Sequence, residues 1–574
     1  MHAMTERAAQ PDPRAEEFAR ARQAAEDGDL RGALAIAERL VARAPARPEG
    51  CCLQGVVARL RGDLERAREH LGRALELDPA HVASHLELAR VEHKARRLDA
   101  ALDHATQALN LEPQSAEAFH EMGCAYDLRD ELDEAVSCLK RALELDPARI
   151  DSYTALGWIY LKQKKFQQAM DMFEGVLDMD PENLDAQHQL GFTYVRSEQY
   201  AKGVQLFSRV CERTPPSMLL ARVNLANAYY HTGRWEVALR LYEQVLAQEE
   251  NQFEARWNRS HILLGEHRFE EGWRDYAYRM FLDTLWTPRL FPFPPWNGEP
   301  LEGKALLVIS EQGLGDQIMF GSCLPDVIGR ARRVVLECEQ RLCNLYRRSF
   351  PQVEVHAFVK RARGIPWLKD AGHIDCQVHM GTLPRLLRRR WSDFPRHHGY
   401  LRADPERVAR WQARLAALGP GRKIGISWRG GTADTRRAMR TIPLERWLPL
   451  LRAPGCSFVS LQYGDCGAEV AAFNAQHGMQ LAHWPEAIDD YDETAALCSA
   501  LDLTISVCTA VIHLNGALGR PVWVLVPAVP EWRYGLRGEK LPWYPSVRLY
   551  RATAIDDWEP PIATVAAALA TQRS

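Results

Sequence analysis

The hydrophobic pattern of the chain changes rhythm near residue 300. Up to there, small residues return at a fixed step: Ala33, Ala67, Ala101, Ala135, Ala169 and Gly203 stand 34 residues apart, and Pro45, Pro79, Pro113, Pro147, Pro181 and Pro215 keep the same interval. Within each interval a small residue falls where two helices must touch, as at Gly123, Gly157 and Gly191, and an aromatic follows three positions later at Tyr126, Tyr160 and Tyr194. The proline, which cannot continue a helix, closes the second helix of each unit. Beyond residue 300, short apolar runs read as buried parallel strands over 305–309, 334–338, 353–358, 423–428, 457–462, 503–507 and 522–526. Helices follow from Asp316 and Gln340 and over 405–418, and a closing helix over 558–571 is expected to pack back onto the first strand-containing unit. The predicted fold class is an α-solenoid followed by an α/β region of two doubly wound units.

A helical hairpin repeating every 34 residues matches the tetratricopeptide repeat (TPR), which buries its apolar face only by stacking on its neighbours. An extra residue, Pro216, shifts the frame, yet Ala226, Tyr229 and Ala238 continue the pattern to about residue 250. Trp257, Gly265, Phe269, Gly272 and Trp273 then make a degenerate unit that caps the superhelix. The pattern assigns residues 1–14 to a disordered amino terminus, 15–285 to about seven repeats plus the cap, and the proline-rich 286–303 to a stiff linker. The concave face of such a solenoid holds an extended peptide or a partner's helix, so a protein partner is expected. Self-association as a homodimer, or bracing of the second half, is the alternative use. The repeating alanines, glycines, tyrosines and prolines are packing residues and carry no chemistry.

Composition narrows the partners. With 72 basic against 75 acidic residues and a formal net charge of -3, the chain gives no reason to expect nucleic acid. Its 13 cysteines are odd in number and scattered from Cys51 to Cys508, which fits a reducing compartment. No uncharged run reaches the ~20 residues of a membrane span, so the expected location is cytoplasmic. Cys338, Cys343, Cys508 and His513 lack metal-site spacing, and Asp490-Tyr491-Asp492 reads as a helix start, so neither metal nor cofactor is expected.

Candidate chemistry concentrates at strand ends. The run 309–320 reads as strand, glycine turn and helix: Gly313 and Gly315 let backbone approach a ligand closely, and Asp316 stands where a carboxylate can work on a substrate. Thr509 opens a helix after the apolar run 503–507, a natural anion site, and His513 lies one turn further on the same face. Two tandem doubly wound units imply a ligand cleft at the carboxyl ends of their strands.

Four motifs carry a family resemblance: Glu-Gln-Gly-Leu-Gly-Asp at 311–316, Gly-Ile-Ser-Trp-Arg-Gly at 425–430, the long run 501–519, and Pro-Trp-Tyr-Pro at 542–545. Together they resemble the bacterial TPR-containing glycosyltransferases related to the heptosyltransferases. That resemblance implies a GT-B fold, with an acceptor-side unit over 304–415 and a nucleotide-sugar unit over 416–574. It also implies metal-independent, inverting transfer from a nucleotide sugar, on proteins such as flagellin in some TPR-fused relatives. By residue, it implies that Asp316 is the general base on the acceptor hydroxyl, the alternative being a helix cap. Arg440 takes the place of the basic residue that holds the donor's phosphates, with Arg429, Arg436 and Arg437 as competitors. Glu469 stands where the family binds the nucleoside ribose. Trp428 and Gln462 end two strands at the cleft, lining the nucleotide pocket or packing, and His513 is a site residue or buried structure. One departure stands out: Cys508 replaces the aspartate that usually precedes this threonine, which bears on donor type and on activity. The expected function is O-glycosylation of a protein Ser or Thr. The alternatives are a TPR scaffold with an inactive second half, or a glycan-directed transferase recruited through the repeats.

Overall fold

The computed structural model describes residues 13–282, 291–358, 365–431 and 436–571. Residues 1–12 of the expected disordered terminus and 286–290 of the expected linker lie outside the described residues. The chain divides into two compact units between Thr214 and Pro215.

In the first unit, helices from Pro13–Glu26 to Tyr200–Arg213 pair as successive hairpins. Ala67, Ala101, Ala135 and Ala169 are buried at the crossings. A methyl group on Gly157 would lie 2.7 Å from the Phe173 ring, so only glycine lets the two helices of that hairpin meet. The tight turn inside each hairpin needs one left-handed residue, and Gly62, Arg96, Asp130, Lys164 and Glu198 supply it at the repeat step, all with positive φ.

The second unit opens with two more hairpins, Leu219–His231 with Trp235–Gln248 and Phe253–Gly265 with Phe269–Tyr276. Two wholly parallel sheets follow. The first contains β1 (Ala305–Ile309), β2 (Arg333–Glu339), β3 (Glu354–Phe358) and β4 (Cys376–His379) in the order β3-β2-β1-β4. The second contains β5 (Arg422–Ser427), β6 (Cys456–Ser460), β7 (Leu503–Val507), β8 (Val522–Val526) and β9 (Val547–Arg551) in the order β6-β5-β7-β8-β9. The central strands β1, β7 and β8 are buried along their whole length, as parallel strands covered on both faces must be. The strands β4 and β9 were not expected. Both are edge strands whose polar residues break the apolar run: Gln377 and His379 in one, Arg548 and Arg551 in the other.

Two expectations change. The closing helix Glu559–Thr571 buries Ile562, Val565 and Leu569 in the core of the second sheet, beside Trp447 and Leu450, and does not return to the first. The described part of the linker is docked as well, because its apolar residues find a surface. Phe291, Trp296 and Leu301 are buried, and Trp296 N–H donates to Gln377 O at 2.7 Å along the edge of β4. Among the described residues, no helix is long and apolar enough to cross a membrane.

The last hairpin belongs to the α/β core. Leu264, Phe269, Trp273 and Tyr276 share one apolar cluster with β1, β2 and the residues around Phe320. The Trp273 indole donates to Arg388 O at 2.9 Å, and Leu536 N–H donates to Gly265 O at 2.8 Å.

Candidate functional site

A cleft of about 610 Å³ lies at the carboxyl ends of the strands, lined by Gly313, Gly315, Asp316, Arg341, Arg440, Cys508, Thr509, His513, Glu531 and Arg533 among others. It is formed where β1 and β7 each turn into a helix, Leu314–Gly321 and Ala510–Ala517. These two helices touch. A methyl group on Gly315 would lie 3.0 Å from the His513 ring and 3.4 Å from Ala510 Cα, so glycine at 315 is what permits the close approach.

The glycine turn is held in a conformation that its sequence alone would not favour. Gln312 has φ of 62°, in the left-handed region, and both ends of its side-chain amide meet the Tyr276 hydroxyl, at 2.9 and 2.7 Å. Beside it, Glu311 accepts from Arg279 Nε and Nη2 at 2.8 and 2.6 Å and from Gly381 N–H at 2.7 Å. Burial works to raise the Glu311 carboxyl, but the Arg279 charge outweighs it and holds the group below its ordinary range. Tyr276 ends the last hairpin and Arg279 lies in the 3-10 helix Ala277–Phe281 that continues it, so this end of the helical region fixes the turn carrying Asp316. It also grips the facing loop, since Trp532 meets Trp273 and Tyr276 edge-on, each at 5.5 Å.

Asp316 has both oxygens engaged. Oδ2 accepts from Gly313 N–H at 3.2 Å, which is a helix-capping contact, and Oδ1 accepts from Arg533 Nε at 2.5 Å. Burial works against the Arg533 charge, but Asp316 and Glu531 more than restore it, so the guanidinium stays protonated. Glu531 also pairs with Arg440, Oε1 to Nη1, at 2.9 Å, and its carboxyl is depressed because Arg440 and Arg533 outweigh burial. A chain of alternating charges thus runs Asp316, Arg533, Glu531, Arg440 across the cleft.

Of the arginines weighed for an anion site, Arg440 lines the cleft. Its segment is fixed by Gly430 N–H to Arg440 O at 2.9 Å and Ile442 N–H to Trp428 O at 2.9 Å. Arg436 donates to Val529 O at 3.0 Å, Arg437 is exposed, and Arg429 pairs with Glu469 at 2.9 Å. Thr509 caps no helix N–H with its side chain, and its hydroxyl lies 3.2 Å from Ser506 Oγ. His513 sits between the Tyr544 and Tyr534 hydroxyls at 3.3 and 3.4 Å, and burial, then the Arg533 charge, depresses it to about 3, so the ring is neutral. Burial pushes the Cys508 thiol up to about 12, which leaves it protonated and a poor nucleophile.

The structure gathers Gly313, Gly315, Asp316, Arg440, Thr509 and His513 around the cleft, and Glu469, Trp428, Gln462 and Arg429 are not among its lining residues. Both Glu469 oxygens are occupied, one by the Trp428 indole at 3.0 Å and one by Arg429. Trp428 is fully buried in the second core. The Gln462 amide oxygen accepts from Trp428 N–H and Arg429 N–H at 3.0 and 2.8 Å, and its nitrogen donates to Arg429 O at 3.1 Å, which splices the ends of β5 and β6.

Sequence reasoning missed Glu531, Arg533 and Arg341. The usable signal was Glu531-Trp-Arg533, two opposite charges in an aromatic stretch just beyond β8, at the strand end where a doubly wound unit binds its ligand. Asp490 accepts from Asp492 N–H at 2.9 Å and starts the helix Tyr491–Ala500, as expected. Among the described residues, no group of three or more His, Cys, Asp or Glu side chains is placed to hold a metal ion.

The first unit has its own polar groove of about 480 Å³, lined by Arg22, Arg59, Arg90, Glu117, His120 and Arg149 among others. Its floor is an ion-pair ladder. Arg59 meets Glu26 and Glu87 at 2.5 and 2.8 Å, and Arg90 meets Glu87, Glu117 and Glu121 at 2.5, 2.5 and 2.8 Å.

The class of the helical region follows from comparison with known families. Residues 58–120 and 160–220 match the tetratricopeptide repeat, as do 116–149, 138–171 and 221–255, so the chain contains these repeats. Among individual proteins, it is similar to Protein FlbA of Caulobacter vibrioides, at 37% identity over 374 residues. That match spans 62% of this chain and 62% of FlbA, less than two thirds of the relative's length. Among solved structures, pilF of Pseudomonas aeruginosa is 22% identical, with a TM-score of 0.33, over 38% of this chain and 99% of that one. The Cut9–Hcn1 assembly is 17% identical, with a TM-score of 0.37, over 42% of this chain and 46% of that one.

Proposed function

We propose that this chain is a GT-B glycosyltransferase of the heptosyltransferase-like kind, which transfers a sugar from a nucleotide-sugar donor to a Ser or Thr hydroxyl of a protein. The observation that carries this reading is the cleft at the strand ends of two parallel sheets, lined by Asp316 after β1, by Arg440 and by the helix start at Thr509 after β7. The donor's phosphates bind at Arg440 and the first N–H groups of the helix Ala510–Ala517, where negative charge grows as the bond to the sugar breaks. Asp316 takes the proton of the acceptor hydroxyl, and attack on the face opposite the leaving group inverts the sugar. No metal is required, because arginines and backbone N–H groups supply the compensating charge. Glu469 reaches the ribose only by exchanging Trp428 or Arg429, so its role is the least direct of the set.

The repeats hold the protein acceptor, flagellin being the candidate that the resemblance supplies, and capture on the same chain raises its effective concentration at the cleft. The test incubates the purified protein and candidate acceptor with a panel of nucleotide sugars, wild type against Asp316→Ala. Transfer should fall by at least about 100-fold in the variant; undiminished transfer removes Asp316 as the base.

One observation favours a scaffold instead: Cys508 puts a buried, protonated thiol where an aspartate is expected. Absence of binding to UDP, GDP, ADP and CMP in calorimetry would support that second reading.

A further inference from the structure

We infer that Arg533 is a movable counter-ion, which pairs with Asp316 and passes to the donor's phosphate when the donor binds, so that Asp316 is released to act as a base only with the donor in place. The inference rests on the nucleotide-sugar reading above and adds to it a residue and its exchange of partners.

Three observations carry it. Both oxygens of Asp316 already accept hydrogen bonds, so as it stands Oδ1 faces a guanidinium rather than an incoming hydroxyl. Arg533 lies between two carboxylates, in contact with Asp316 and with its Nη1 3.8 Å from Glu531, which itself holds Arg440. Its guanidinium therefore stands within reach of more than one anion. Finally, the pair is only partly screened, with 18% of the Arg533 and 14% of the Asp316 side chain exposed. Separating such a pair without a substitute is costly. A phosphate in the cleft is the substitute. The two phosphates of a nucleoside diphosphate sugar together carry two negative charges against one on a carboxylate, and their oxygens can take the fork of the guanidinium in a bidentate manner.

The transfer step then balances. The proton of the acceptor O–H passes to Asp316 Oδ1, and the oxygen's electron pair forms the new bond to the sugar C1. The bond from C1 to the phosphate oxygen breaks, its electron pair leaving on the nucleoside phosphate. The charge gained there falls on Arg533 and Arg440. An acceptor that arrived first would meet an Asp316 still tied to Arg533.

The test is calorimetry of the full chain with UDP, GDP, ADP and CMP, on wild type, Asp316→Asn, Arg533→Met and the double variant, each checked for folding by circular dichroism. Removing the competing carboxylate should tighten binding of the preferred nucleotide by roughly threefold or more in Asp316→Asn. Arg533→Met should weaken it by at least about tenfold, and the double variant should match Arg533→Met. Should Arg533→Met fail to fold, Asp316→Asn alone decides, with Arg533→Lys as the second arm, expected to bind more weakly than wild type. Unchanged or weaker binding by Asp316→Asn overturns the counter-ion role, as does wild-type affinity in Arg533→Met, and either leaves the nucleotide-sugar reading intact. Absence of binding to every nucleotide by the wild type overturns both.

Discussion

His513 shows how burial sets the state of a single side chain at the cleft. It is enclosed by Tyr534, Tyr544 and Gly315, and its value falls from 6.5 to about 3. Between those values the unfolded chain binds a proton that the folded chain refuses. Stability therefore rises with pH across that window, is complete above the unfolded value, and is lost as pH falls toward the folded one. His513→Gln should flatten the dependence by about 1 kcal/mol per pH unit between about pH 4 and pH 6, read from urea midpoints. The buried His261, also depressed to about 3, keeps its own share of the slope in both proteins. An unchanged slope in the variant would mean that the ring is protonated in the folded state. Residue by residue, the glycine turn was legible because Gly313, Gly315 and Asp316 lie together in sequence and announce a strand-to-helix turn. The ion pair that engages Asp316 was not, because Arg533 lies 217 positions away and only tertiary structure brings it back.

At the scale of elements, the last helical hairpin is part of the machinery that shapes the cleft. Its end and the 3-10 helix after it contribute Tyr276 and Arg279 to one loop, and its aromatic face meets the other. Arg279→Met would leave Glu311 buried without its cation, at a cost of about 3–5 kcal/mol. The expected result is a lower urea midpoint, partly restored by adding Glu311→Gln; a midpoint equal to wild type would show that the pair contributes nothing net. The hairpins themselves were readable from a strict period, and the central strands from unbroken apolar runs. The edge strands β4 and β9 were hidden because a strand covered on fewer sides tolerates polar residues. The docking of Phe291 to Leu301 was hidden because proline content reports backbone stiffness and says nothing of what the aromatics beside it touch.

For the molecule as a whole, the boundary between Thr214 and Pro215 places two hairpins with the sheets. A fragment of residues 215–574 should fold cooperatively and, on the proposed function, bind nucleotide as the full chain does. One beginning at residue 291 should expose Phe320, Trp532 and Trp543, which now pack against Trp273, and should aggregate. Size-exclusion chromatography and thermal melts of the two fragments check this; a soluble, cooperatively melting shorter fragment would show that the hairpins are dispensable. The boundary also has a consequence for descent. The side chains that grip the cleft loops all lie after Thr214, whereas the first unit is written in blocks of 34 residues. Such blocks can be gained or lost whole by unequal recombination without touching the residues that hold the cleft loops.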